Sequence, residues 1–196
     1  MPRLALALFA LYLALAFAWR TWRQLRTTGS SGFVGISRAG ALERLGGALL
    51  VASLALGAAS PLVALQSGAP RLTAVQAGLG IALYTAGLAL TLAAQLRMGA
   101  SWRIGVDSAE RTQLVTSGPF ASVRNPIFSG MLAVALGLAL LVPNIWALLA
   151  VIALAGGIEL QVRLVEEPYL LRTHGEPYRA WAQRTGRFLP GVGRLR

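Results

Sequence analysis

Asparagine followed by proline, as in Arg124-Asn125-Pro126, marks an N-cap and the first position of a helix. A helix beginning there presents unpaired backbone N–H groups and the positive end of its dipole. With Arg124 beside it, that end favours an anionic ligand group. The other use of Arg124 is to snorkel toward lipid headgroups. A second grouping, Glu159, Arg163 and Glu166, repeats at intervals of four and three and so shares one helical face, with Glu167 about 100° further round. Acids near a helix C-terminus oppose its dipole, and acids at membrane depth are costly, so something must compensate them. A cationic ligand group would do so, as would pairing of Glu159 with Arg163 and of Glu166 or Glu167 with Arg172 or Arg124. A third grouping is the tail His174-Gly175-Glu176-Pro177-Tyr178-Arg179-Ala180-Trp181, which ends in Arg187-Phe188-Leu189-Pro190. Its Tyr178, Trp181 and Phe188 suit either an interfacial aromatic belt or the lid of a pocket.

The elements that must position these residues are apolar helices. Of 196 residues 56% are hydrophobic and 13% charged, and the mean hydropathy is +0.62. That is more apolar surface than a soluble core of this size can hide. Five segments approach the length of about 20 residues that a transmembrane helix needs: 4–19, 45–65, 74–96, 127–142 and 145–165. Pro143-Asn144 alone separates the last two, which makes them an antiparallel hairpin. Gly80 and Gly87 in the third span, and Gly130 and Gly137 in the fourth, offer small-residue surfaces for close helix packing. The fold expected is a single all-α polytopic membrane domain over 1–196, with 97–126 and 166–196 as cytosolic segments.

Charge sets the orientation. All 18 basic residues are arginine against seven acids, a formal net charge of +11. With five spans and the N-terminus outside, only Arg3 and Arg71 face out and the other sixteen lie inside or at the inner boundary, as the positive-inside rule requires. Ala16-Phe17-Ala18 resembles a signal-peptidase site, but Arg20, Arg23 and Arg26 follow at once as a stop-transfer anchor. The runs Arg20 to Arg26 and Arg184 to Arg196 are accounted for by topology and headgroup contacts. Five of the seven acids, Asp107, Glu110, Glu166, Glu167 and Glu176, fall in the inner segments, so any chemistry belongs on or just under the cytosolic surface. The arginines are separated by apolar stretches rather than gathered in a stripe, which argues against nucleic acid. There is no cysteine and one histidine, His174, so thiol catalysis is excluded and a protein-only zinc site is not expected.

Taken in order, Leu114-Val115-Thr116-Ser117-Gly118-Pro119-Phe120, then Val123-Arg124-Asn125-Pro126-Ile127-Phe128-Ser129-Gly130, a membrane hairpin, Glu166-Glu167, and a tail of Gly175-Glu176-Pro177-Tyr178 closing in Arg187-Phe188-Leu189-Pro190 resemble the isoprenylcysteine carboxyl methyltransferases and the related membrane phospholipid methyltransferases. The resemblance covers roughly Gln95 to Pro190. It departs from the family pattern at Asn125, where the family has histidine, and at Phe128, where it has tyrosine.

The resemblance implies an S-adenosyl-L-methionine-dependent methyltransferase that releases S-adenosylhomocysteine. It implies a cofactor site drawn from Gly118, Arg124, Asn125, Pro126, Phe128, Glu166, Glu167 and Tyr178, a tail that caps the pocket from the cytosol, and a substrate delivered laterally from the bilayer. A cofactor that presents both an ammonium and a carboxylate would be met by Glu167 and by the helix end at Arg124. An acceptor that attacks as an anion needs deprotonation or charge neutralisation, for which Arg163, Arg187 and Glu159 are the candidates. The arginine-only, alanine- and glycine-rich composition points to a GC-rich bacterial genome and its inner membrane. The acceptor expected there is a small hydrophobic, isoprenoid-like or lipid-like molecule rather than a prenylated protein. The alternatives are a nicotinamide-dependent membrane reductase of the sterol type, against which the missing dinucleotide glycine fingerprint speaks, and a non-catalytic membrane scaffold or transporter subunit.

Overall fold

The computed structural model describes residues 1–33, 41–68, 70–103 and 113–195. In chain order it contains α1 (Pro2–Leu13), a π-helical turn (Ala14–Trp19), α2 (Arg20–Thr28), α3 (Ala41–Ser67), α4 (Ala74–Met98), α5 (Pro126–Leu141), α6 (Ile145–Leu160), a second π turn (Gln161–Glu166), α7 (Glu167–His174) and α8 (Glu176–Arg184). Among the described residues four continuous helices are long and apolar enough to cross a membrane: Pro2–Thr28, Ala41–Ser67, Ala74–Ser101 and Ile145–His174. The fifth apolar helix, α5, has 16 residues. At 1.5 Å per residue that is about 24 Å against a hydrocarbon core of about 30 Å, so one end of α5 lies below the membrane surface. The protein is an all-α polytopic membrane protein.

Two helices run further than their hydropathy suggests. The first continues past Trp19 to Thr28 and carries Arg20, Arg23 and Arg26 on helix. The last continues past Val165 to His174. Both extensions pass through a π turn. In the second, Pro168 supplies a reason: it has no N–H to donate to the preceding turn and its ring crowds that turn's carbonyl, so the helix widens over Gln161–Glu166.

Glycine decides the packing of α4 on α5. A Cβ on Gly87 would stand 2.6 Å from the Gly130 carbonyl oxygen, and one on Gly137 would stand 2.6 Å from that of Gly80. The four glycines singled out by spacing therefore face each other in pairs, and the backbones touch. Gly46 and Gly157 form a similar, looser contact between α3 and α6. The hairpin turn is secured at Asn144, whose Oδ1 accepts from the Ala147 N–H at 2.9 Å and whose Nδ2 donates to the Ser60 carbonyl at 3.0 Å.

Arg20 does not reach headgroups. It is buried, stacks at 4.6 Å over the Trp102 ring and donates to the Gly99 carbonyl, while Gln24 donates to Ala100. A cation there compensates the negative end of α4 and occupies its orphan carbonyls. The burial follows from the helical continuation, which turns Arg20 and Gln24 inward and leaves Arg23 and Arg26 outside.

Candidate functional site

The N-terminal end of α5 and the C-terminal end of α6 are brought together by the C-terminal tail. Residues 123–125 and 186–187 pair like short parallel strands: the Arg124 N–H donates to the Gly186 carbonyl at 2.8 Å and the Asn125 N–H to the Arg187 carbonyl at 3.1 Å. Beyond this the tail reverses, with the Arg187 N–H on the Val192 carbonyl at 2.7 Å. Gly186 permits the reversal, because a Cβ there would overlap the Leu189 carbonyl. Ser129 Oγ donates to the Phe188 carbonyl at 2.7 Å.

Inside this wrap stands an ionic cluster. Arg124 Nη2 donates to Glu167 Oε1 at 2.7 Å and to the Gly193 carbonyl, and Nη1 donates to the carbonyls of Ala182 and Thr185. Arg187 closes a two-point contact with the same carboxylate, Nε to Oε1 at 2.8 Å and Nη2 to Oε2 at 2.9 Å. Glu167 pushes the Arg187 guanidinium above its ordinary range, burial opposes the shift, and the charge of Glu159 adds to it. Two arginines on one carboxylate leave the cluster with a net positive charge.

Tyr178 lies against the cluster from α8. It is fully buried, edge-on to Trp181 at 5.6 Å, and burial pushes its phenol up to about 12, with the Glu167 charge adding to the effect. Trp181 Nε1 donates to the Phe120 carbonyl. Tyr178 and Trp181 therefore do not form an interfacial belt: both are packed inward with Phe120 and Ala94.

The expected site residues divide in three. Arg124, Glu167, Arg187, Asn125 and Tyr178 converge, and Pro126 opens α5 beside them, buried. Asn125 stands at the N-cap position but makes no side-chain cap; its Nδ2 donates to the Arg187 carbonyl at 3.1 Å instead. The first turn of α5 is thus left without a capping side chain. Phe128 lies in an apolar wall with Phe188, Ile158 and Val162. Four other expected residues stand outside the cluster: Glu166, on the π turn; Gly118, beside the stem of Arg97; and Glu159 and Arg163, paired with each other on an exposed flank of the last long helix. Asp107 and Glu110 lie outside the described residues. Snorkelling of Arg124 is ruled out by its burial. Among the described residues no group of three His, Cys, Asp or Glu gathers as a metal site would require.

The residues not foreseen are Ser129, Gly186 and Gly193, and the backbone carbonyls of Ala182 and Thr185. A readable signal existed only for the glycines.

A model of the phospholipid methyltransferase family matches residues 75–177, which include α4, α5, α6, Arg124 and Glu167 and exceed half of the chain. The chain belongs to the phospholipid methyltransferase family. No curated protein matches it. Among solved structures it is similar to a eukaryotic intramembrane Ras methyltransferase, isoprenylcysteine carboxyl methyltransferase, solved without a monobody. The likeness covers 100% of this chain and 70% of that one at 17% identity, with a TM-score of 0.61. At that identity the likeness is one of fold, and it extends over the first two helices, which carry little of the sequence resemblance. As a phospholipid methyltransferase family member the chain is a membrane methyltransferase; Arg124 and Glu167 of the ionic cluster fall within the matched region, and Arg187 follows it in the tail.

Proposed function

We propose that this protein transfers a methyl group from S-adenosyl-L-methionine to a small hydrophobic or lipid-like acceptor at the cytosolic face of the membrane, releasing S-adenosylhomocysteine. The observation that carries the reading is the Arg124–Glu167–Arg187 cluster at the uncapped start of α5. A carboxylate offers about four lone-pair positions, and three on Glu167 are taken, two on Oε1 and one on Oε2. One position on Oε2 remains for a ligand ammonium. Arg124 Nε is buried and has no partner, and with the cluster's net positive charge and the open helix end it suits a ligand carboxylate. An amino acid end fits such a pair of complementary vacancies.

When bound, the cofactor supplies an electrophilic methyl on a sulfonium, so no metal is needed. What remains for the chain is to bind, orient and exclude water. Glu167 and the α5 terminus hold the amino acid end. The tail over residues 186–193, fastened by Arg124 and Ser129, covers the cluster from the cytosol. Phe128 and Phe188 face an apolar acceptor. The acceptor's carboxylate, thiol or amine forms the new bond to the methyl as the sulfonium bond breaks, and a proton carried by the nucleophile passes to solvent or to a nearby base. Arg187, with Glu159 and Arg163, is the group of charges nearest to assist.

The arginine distribution supports an outside N-terminus and a cytosolic C-terminus, and the composition supports a bacterial inner membrane. Family membership favours methyl transfer over the reductase and scaffold readings. The test is incubation of the purified protein in bacterial-lipid vesicles with cofactor labelled in its methyl group. Label entering the organic phase with wild type and not with Glu167→Gln is the expected result. No label above a boiled control, from protein that remains folded, would remove the assignment.

A further inference from the structure

The carbonyls of the tail are satisfied more fully than a segment lying in water requires. Those of Gly186, Arg187, Phe188, Leu189, Val192 and Gly193 accept hydrogen bonds from Arg124, Asn125, Ser129 or the tail's own N–H groups. Within this strap Leu189, Pro190, Gly191 and Val192 make a tight reversal, in which the Val192 N–H donates to the Leu189 carbonyl at 3.1 Å and Gly191 takes φ +77°. Glycine tolerates that angle, and Pro190 brings no N–H that would need a partner. Water satisfies exposed carbonyls by itself, whereas non-helical backbone at membrane depth persists only where protein meets its polar groups.

Two measures of depth place the reversal at the bilayer. Ser129, whose hydroxyl holds the Phe188 carbonyl, lies twelve residues from Leu141, the end of α5 next to the Pro143-Asn144 turn. At 1.5 Å per residue that is about 18 Å from the far surface of a hydrocarbon core about 30 Å thick. The Phe188 side chain packs against the cluster of Leu154, Ile158 and Val162. Val162, the member nearest the tail's side, is seventeen residues from Ile145 on one continuous helix, or about 26 Å from the same surface. Phe188 thus stands between about 4 and about 12 Å beneath the near surface, and Leu189 follows it directly.

At that level the reversal turns its apolar side chains outward. Leu189 is 62% exposed and Val192 61%, and the two are bridged to each other. In water the pair would be an unrewarded patch; in a leaflet both are in their preferred surroundings. Arg194, whose guanidinium folds over Gly191, suits an anionic headgroup beside them.

We propose that the reversal Leu189–Val192 is a membrane-inserted tip, whose two aliphatic side chains enter the acyl-chain boundary of the leaflet on the tail's side. Its partner is the lipid surface. The strap over the ionic cluster is then fastened at one edge by Arg124 and Ser129 and at the other by the bilayer. The inference stands on depth, exposure and backbone satisfaction, and does not depend on the methyl-transfer reading.

The chain has no cysteine, so Leu189→Cys, Val192→Cys and Glu176→Cys can each carry one environment-sensitive NBD group on the full chain. Glu176, with its side chain 77% exposed at the start of α8, is the aqueous control. In vesicles of phosphatidylethanolamine and phosphatidylglycerol, the groups at 189 and 192 are expected to lose most of their emission to a lipid with a nitroxide high on its acyl chain and little to aqueous iodide, and the group at 176 the reverse. Adding Leu189→Asp to Val192→Cys is expected to bring the group at 192 out to iodide. Iodide access at 189 and 192 equal to that at 176 overturns the inference, as does shielding from both quenchers, the mark of burial against protein. Lipid quenching at 192 that survives Leu189→Asp also overturns it, because the dye and not the leucine would then be driving insertion.

Discussion

Arg124 and Glu167 meet at 2.7 Å across 43 residues of sequence, both nearly excluded from solvent. Through this contact α5 and α7 are joined, and through the remaining bonds of Arg124 the tail is tied to both. One guanidinium thus ties three segments of the chain together.

Breaking that contact from the arginine side is expected to cost about 3–5 kcal/mol, because Arg124→Met strands carbonyls and a carboxylate that had been neutralised inside the protein. Arg124→Lys is expected to recover only part, since an ammonium cannot reproduce the fork. Thermal unfolding in detergent measures the loss. Trypsin cleavage at Arg187 and Arg194, faster in Arg124→Met than in wild type, reports that the tail has come away.

The glycine seam gives a graded expectation. Gly87→Ala and Gly130→Ala drive a methyl into facing backbone and are expected to destabilise by about 1–3 kcal/mol, more for larger side chains. Gly78, on the same helix with nothing near its missing Cβ, is expected to tolerate alanine or gain by about 0.5–1 kcal/mol. Melting temperatures of the three variants under identical detergent conditions check the order.

Arg20 and Arg23 look alike in sequence and are expected to differ in effect. Arg20→Met uncaps the end of α4 and is expected to cost about 1–3 kcal/mol, whereas Arg23→Gln, exposed beside the Trp19 ring, is expected to change stability by no more than about 0.5 kcal/mol. Chemical denaturation of the two variants decides between them.

Alkali provides an independent probe of the packed tail. The Tyr178 phenol is raised from 10.0 to about 12 by burial, so the folded state prefers it neutral. The contribution is present below pH 10 and is lost as pH rises toward 12. Tyr178→Phe cannot ionise and is expected to hold its melting temperature further into alkali than wild type, as scans between these limits would register.

Much of this was legible in sequence because the bilayer narrows the choices. Apolar length pointed to the long helices, four of which among the described residues are long enough to cross a membrane, and the seven-residue glycine intervals located the seam, since both are local periodicities. Asn125-Pro126 located the start of α5 correctly. What escaped were contacts made across long separations. Nothing local tells that Arg187 turns back onto Glu167, that Asn125 gives its amide to a tail carbonyl rather than to a cap, or that Arg20 is buried while Arg23 is not. The aromatic tail misled for a related reason: Tyr178 and Trp181 suit an interface by composition, and only the docking of α8 against Phe120 takes them inside.

Calorimetric titration of the detergent-purified protein with S-adenosylhomocysteine, with Glu167→Gln alongside, tests the central claim most directly. Micromolar binding by wild type, weakened at least about tenfold, or about 1.4 kcal/mol, in Glu167→Gln, is the result expected if the ionic cluster at the start of α5 holds the cofactor's amino acid end. Absence of binding by folded wild-type protein, or equal binding by the variant, would contradict it.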